Sequence, residues 1–217
     1  MPAFNLKTIE TSLMDFKKAF PAINKRLSLH REPVDRELIQ KVLEAYTLLN
    51  YLLKRDINLF SPAGLHSLLE LNHVVLCGTD PDARTEYYSH ILETRRKFNT
   101  TIVPLRKWVC SHCSTPDPYH LAAGFYCRSL SRPQVFIEGN HRTGNIILNY
   151  LLLSRGQPPL ILSDTNAFDY LELSGKIKFS SKDTLYDKFR LLVGLSHHFR
   201  DFLESNAAYR FLSGSSK

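Results

Sequence analysis

The chain has 217 residues, of which 43% are hydrophobic and 23% charged, the balance of a folded globular protein rather than a disordered or fibrous one. That length buries a proper core without disulfide or metal staples, and no apolar run approaches the roughly 20 residues that cross a bilayer. With 28 Lys and Arg against 21 Asp and Glu, a formal charge of +7, the surface favours an anionic partner.

The N-terminal stretch MPAFNLKTIETSLMDFKK alternates apolar and charged residues and has no signal-peptide core. The expected setting is therefore soluble and cytoplasmic, with no membrane partner and with delivery into a host cell left open. From Asp35 onward, Leu38, Val42, Ala45, Leu49 and Leu52 recur at three- and four-residue steps, an amphipathic helix ending near Arg55. Three later helices open with a capping side chain followed by Pro: Ser61-Pro62, Asp80-Pro81 and Asp117-Pro118. His66 and His73 share a helical face without a third ligand, so no metal is expected there. Tyr87 and Tyr88 read as packing and interface residues.

The segment Phe98 to Val103, FNTTIV, is rich in β-branched residues and predicts a short hairpin or extended flap. The next stretch, VPLRKWVCSHC, reads as a helix with Cys110 and Cys113 on one face beside Trp108 and Val109. Cys110, His112 and Cys113, with Cys127, have a metal-like look, but no second CxxC or HxxxH pair accompanies them. Buried free thiols in a reducing compartment are the expectation, rather than a zinc site or a disulfide scaffold. Arg95, Arg96, Lys97, Arg106 and Lys107 form the densest basic cluster. Without an aromatic-rich nucleic-acid module beside it, the cluster reads as a solvated face, and nucleic acid is not the expected partner.

A helix beginning near Arg142 carries Ile146, Ile147, Leu148, Tyr150, Leu151, Leu152 and Leu153. Apolar on more than one face, it is expected at the centre of the core. Gly156 and Pro158-Pro159 stop it. The last helix carries Leu185, Phe189, Leu192, Leu195, Phe199 and Phe202 on one stripe, with His197 and His198 at its surface or core edge. The whole reads as one compact all-α domain with a small β-hairpin flap. Residues 1–60 supply N-terminal helices that pack on a core of residues 61–212, and residues 213–217 form a disordered tail.

Chemistry concentrates in residues 136 to 145, FIEGNHRTGN. A loop feeding a helix N-terminus is an anion site, because the first turn leaves backbone N–H groups unpaired. Gly139 and Asn140 tolerate the backbone of a tight turn. Arg142 and Thr143 open the helix and add charged and hydroxyl donors for a phosphate. Glu138 offers a hard oxygen ligand where Mg²⁺ bridging two phosphates would bind. Turn chemistry explains each residue equally well, with Glu138 and Arg142 merely paired across a polar turn.

This segment resembles the signature of the Fic (Fido) family, H-P-F-x-D/E-G-N-G/K-R-T-x-R on a loop between two central helices. The likeness extends to DPYHLAAGFYCRSL before it and NIILNYLLLSRGQPPLIL after it, and upstream to PAGLHSLLEL. It is strong from about residue 62 to 165. It implies a helical fold and an adenylyl- or other nucleotidyl-transfer site using ATP and Mg²⁺, with a protein target docked at the flap 98–103. Phe136 would anchor the loop in the core. Glu138 would hold Mg²⁺ on the α- and β-phosphates. Gly139, Asn140 and the amides leading to Arg142 would form the anion hole, with Arg142 on the phosphate chain and Thr143 and Asn145 among the phosphate-binding positions.

The chain departs from the signature where the family moves a proton. The motif His, which takes the proton of a target hydroxyl, is Gln134, and an amide has no usable basicity near neutral pH. The motif Pro is Val135, the second small position is His141, and the last Arg is Asn145. The S/T-x-x-x-E-G/N pattern of the family's inhibitory helix is not evident, since HSLLELN has the wrong spacing. The first expectation is a protein that keeps a nucleotide-phosphate loop but lacks normal transfer, a pseudoenzyme that binds a nucleotide or a protein. One alternative is an active transferase with His141 as base. Another is an interaction domain with no ligand.

Overall fold

The computed structural model describes residues 2–184 and 187–214, without the side chains of 188 and 189. The described residues form nine α-helices and no strand. They are α1 (Leu6–Arg26), α2 (Arg36–Lys54), α3 (Gly64–Cys77), α4 (Pro81–Glu86), α5 (Tyr88–His112), α6 (Pro118–Leu130), α7 (Asn140–Ser154), α8 (Ala167–Phe179) and α9 (Leu192–Asn206). A π-helical turn, Asp187–Leu191, leads into α9, and a 3₁₀ turn, Tyr209–Phe211, follows it. The all-α reading holds. No helix among the described residues is long and apolar enough to cross a membrane.

Capping side chains set the helix starts. Asp35 accepts from Leu38 N, Asp80 from Ala83 N, and Asp117 from Tyr119 N and His120 N, each satisfying donors that a first turn leaves open. At Ser61-Pro62 the helix proper starts later, at Gly64, but Ser61 Oγ still accepts from Gly64 N at 3.0 Å. A Cβ on Gly64 would overlap Asn58 O, so only glycine fits there.

The segment expected as a flap is helix. Phe98, Ile102, Leu105 and Val109 form one buried stripe of α5, and this packing overrides the β preference of Thr-Thr-Ile-Val. The hydroxyls of Thr100 and Thr101 bond back to Lys97 O at 2.8 and 2.9 Å, which seats both threonines within the helix. Cys110 and Cys113 also depart from expectation: they are exposed at the end of α5, whereas Cys77 and Cys127 are buried. Among the described residues no group of three or more His, Cys, Asp or Glu is placed to hold a metal ion.

At the centre lies α7, with Ile146, Ile147, Leu148, Leu151, Leu152 and Leu153 all buried, each contributing about 1.5–3 kcal/mol relative to exposure. α6 packs most extensively on α7 and α9, while α1 and α2 close the other side. The segment after α7 turns at Gly156, whose φ is 73°, and runs back along the helix. Buried Asn149 fixes it by accepting from Leu160 N at 2.8 Å and donating to Leu160 O at 2.9 Å. On α9, Leu192, Leu195 and Phe199 are buried, Phe202 is partly so, and His197 and His198 are exposed. The earlier members of that stripe, Leu185 and the side chain of Phe189, lie outside the described residues, as do 215–217 of the tail.

Candidate functional site

The loop between α6 and α7 is pinned from three sides. Phe136 is buried and stacks on Phe98 of α5, with ring centroids 5.5 Å apart and planes 7° apart. Thr101 Oγ1 donates to Val135 O at 2.8 Å, and Lys97 Nζ to Phe136 O at 2.9 Å. The stretch read as a docking flap is thus a wall behind the loop. From α3, Asn72 Nδ2 donates to Glu138 O and to Thr143 Oγ1, each at 3.0 Å.

Asn140 staples the loop to itself. Its Oδ1 accepts from Phe136 N at 2.9 Å and its Nδ2 donates to Phe136 O at 3.0 Å. Gln134 completes the brace: its Nε2 donates to Leu130 O at 2.9 Å, and its Oε1 accepts from Asn140 Nδ2 at 3.4 Å. Both ends of that amide are occupied by the loop's own structure. Gly139, at φ 72°, turns the chain into the helix. α7 therefore begins at Asn140, two residues before the expected Arg142, and its N-cap, Gly139, has no side chain with which to cap the first turn.

That turn opens onto a cleft of about 560 Å³ between α1, α2, α7, α8 and the 30–34 segment, within the range of small-molecule sites. Gln134, Glu138, Gly139, Asn140, His141, Arg142 and Asn145 all border it. Thr143 does not; it is fully buried behind the helix, its hydroxyl held by Asn72. Apolar side chains including Phe16, Phe20, Val34 and Leu38 form the opposite wall.

Glu138 is exposed, and its bond from Asn72 is made by the backbone oxygen, leaving the carboxylate clear. None of the ion pairs among the described residues joins Glu138 to Arg142. Arg142 Nη1 instead donates to Val75 O at 3.0 Å, near the C-terminus of α3, where helix carbonyls are unpaired. Burial lowers its pKa, against the opposing charges of Glu138, Glu32 and Asp35.

Behind the cleft, Tyr126 and Tyr170 share a 2.6 Å hydroxyl contact, and Tyr126 OH lies 3.5 Å from His141 Nδ1. Burial first, and then the charges of Arg31, Lys178 and Arg142, push the His141 imidazole down to about 3. Asn145 Oδ1 accepts from Tyr46 OH at 3.3 Å. Three buried polar atoms on cleft-lining residues find no hydrogen-bond partner among the described residues: Arg31 Nε, His141 Nε2 and Asn145 Nδ2.

Sequence reasoning finds the α7 turn but misses Asn72, Arg31 and Lys178. Arg31 lies in an irregular segment over a hundred residues away in sequence, and only tertiary packing brings it to α7. No protein-family model matches the chain, and neither a curated protein nor a solved structure does.

Proposed function

We propose that this chain is a Fic-like protein whose cleft binds a phosphate-bearing nucleotide with Mg²⁺ and does not transfer its nucleotidyl group. The observation that carries the reading is the convergence, on one cleft, of an uncapped helix N-terminus with Arg31, His141 and Asn145, each of which bears an unsatisfied buried polar atom. Arg31 Nε and Asn145 Nδ2 are donors, and an unpaired buried donor costs about 1–3 kcal/mol until an acceptor reaches it. The backbone amides opening α7 add further donors and a favourable dipole. Arg31, Lys178 and Arg142 supply positive charge, the same three cations that depress His141.

Glu138 suits the metal, since Mg²⁺ is commonly held by one or two carboxylates together with substrate phosphates and water. When bound, the ion would neutralise phosphate charge; the chain's own part is to orient the phosphates through Arg142, Arg31 and the α7 amides. The apolar wall of Phe16, Phe20, Val34 and Leu38 offers a surface for the base.

Transfer to a protein hydroxyl needs a base, and neither loop position considered for that role is suited to it. Gln134 carries an amide consumed by Leu130 and Asn140. His141 is held neutral, but a ring with a pKa near 3 takes a proton only weakly. Binding without chemistry is the reading these residues favour.

Calorimetric titration of wild type, Arg31→Ala and Arg142→Ala with ATP, with and without Mg²⁺, tests it. Wild type should bind more tightly with Mg²⁺, and each variant should lose at least tenfold. Equal binding in all three proteins would place the nucleotide away from Arg31 and Arg142, and absent binding, with no rise in Tm from ATP and Mg²⁺, would leave an interaction domain with no ligand.

A further inference from the structure

The end of α5 carries a pair of thiols that the cleft does not use. Cys110 and Cys113 are both exposed, and they are three residues apart. Cys113 keeps helical backbone angles, φ −62° and ψ −21°. Helical spacing therefore runs through it and sets the two Cα atoms about 5 Å apart, inside the roughly 4.4–6.8 Å that a disulfide spans. Because Cα–Cβ bonds in a helix tilt toward its N-terminus, the Cys113 side chain leans back over the turn bearing Cys110. Its sulfur lies 3.0 Å from the Cys110 carbonyl oxygen.

The turn is also held in place from outside. Arg155, just past α7, donates through Nη1 to Cys113 O and through Nη2 to Thr115 O, the latter at 2.7 Å. These contacts tether the carbonyls of a helix end without touching either sulfur. The sulfurs are free to rotate toward each other while the backbone stays anchored.

We propose that Cys110 and Cys113 form a thiol–disulfide exchange site that closes reversibly into an intrachain disulfide with a low-molecular-weight disulfide such as oxidised glutathione. One protein thiolate attacks a glutathione sulfur, forming a mixed disulfide and releasing the first glutathione thiolate. The second protein thiolate attacks the protein sulfur of that mixed disulfide and expels the second. The two protein thiols are oxidised by two electrons, one glutathione disulfide is reduced, and the two protons leave on two glutathione thiols. Closure gives up the weak contacts of the Cys113 sulfur with the Cys110 carbonyl and, at 3.9 Å, with Ser114 Oγ.

The test equilibrates the full chain across a series of oxidised-to-reduced glutathione ratios, quenches with acid, and counts free thiols by maleimide–polymer addition and intact mass. Denaturing alkylation of wild type should lose the Cys110 and Cys113 additions together, with no glutathione retained and no dimer on a non-reducing gel. Reduced glutathione should restore both. Cys110→Ser and Cys113→Ser should each keep the remaining thiol free until a much higher oxidised share, and then carry one glutathione. Circular dichroism should show both variants folded, since the replaced side chains are exposed. The proposal is overturned if wild type keeps both additions where the single variants already carry glutathione. Protection that persists in either variant without a glutathione adduct, or that appears as a cross-linked dimer, also overturns it.

Discussion

Asn72 Nδ2 lies 3.0 Å from Thr143 Oγ1 and 3.0 Å from Glu138 O, so one buried amide on α3 fixes both the last turn of the loop and the first turn of α7. Asn72 is fully buried, and its removal takes the donor from two acceptors at once. Asn72→Ala should cost about 2–4 kcal/mol of stability. Urea unfolding is the measurement, with a lower midpoint at unchanged slope. Nucleotide binding should weaken as well, because the α7 amides lose their register toward the cleft.

Gly139 makes the turn that lets Asn72 reach. Its φ of 72° is strained for any other residue, and an added Cβ would stand 3.0 Å from Asn72 Nδ2 and 3.2 Å from Leu76 Cδ2. Gly139→Ala should destabilise by about 1–2 kcal/mol from the backbone alone. Ligand affinity should fall further than Gly156→Ala lowers it. Gly156 has a similar φ, but nothing lies within 4 Å of its added Cβ.

The low basicity of His141 predicts a pH dependence of stability. Burial, and then Arg31, Lys178 and Arg142, bring its pKa from the ordinary 6.5 to about 3. Between those values the unfolded chain holds a proton on this ring that the folded chain does not. Stability therefore rises with pH through this window and is lost as pH falls through it, by up to about 1.4 kcal/mol per pH unit. Glu70 and Asp117 lose stability in the same direction at lower pH. Burial raises their pKa values, but bonds from His73 and Arg84 to Glu70, and chiefly from Arg200 to Asp117, more than reverse it. The difference between wild type and His141→Asn isolates the imidazole. Unfolding free energies measured from about pH 4.5 to 8 should converge in slope above about pH 7 and diverge below it.

Much of the fold is written locally. Asp35, Asp80 and Asp117 cap the helices they precede, the step pattern from Leu38 to Leu52 gives α2, and the all-round apolar run after Asn145 marks α7 as central. The failure at Phe98–Val103 has a single cause. Thr-Thr-Ile-Val is β-prone in isolation, but Phe98 and Ile102 share a face with Leu105 and Val109, and burying that stripe decides the conformation. The loop's backbone turn was legible from Gly139 and Asn140, whereas the roles of its polar side chains were not. Thr143 looks like a phosphate donor until Asn72, seventy-one residues earlier, is seen to occupy it. Arg142 looks like a partner for Glu138 until the carbonyl of Val75 is found beside it. Hydrogen bonds between segments leave no periodic trace in a sequence, and they decide which groups remain free for a ligand.

The last prediction concerns chemistry at position 134. The Gln134 amide is a strut: its nitrogen satisfies the Leu130 carbonyl at the end of α6, and its oxygen meets the side chain that staples the loop. An imidazole in its place would bring a base of suitable strength near neutral pH. It would also have to replace two contacts of opposite polarity with its two ring nitrogens. If both stay engaged, neither nitrogen is available to take a hydroxyl proton; if one turns to the cleft, Leu130 O or Asn140 loses its partner. Asn145, which bonds Tyr46 rather than projecting a charge toward phosphate, withholds one cationic contact in either case. Incubated with a labelled ATP analogue and Mg²⁺, wild type and Gln134→His should therefore both leave themselves and a cell lysate unlabelled, while still binding the nucleotide. The triple variant Gln134→His, Val135→Pro, Asn145→Arg is the one in which labelling should first appear. Labelling by wild type that disappears in His141→Ala would instead assign the base to His141. Labelling that survives both His141→Ala and Glu138→Ala would move the chemistry away from this loop altogether.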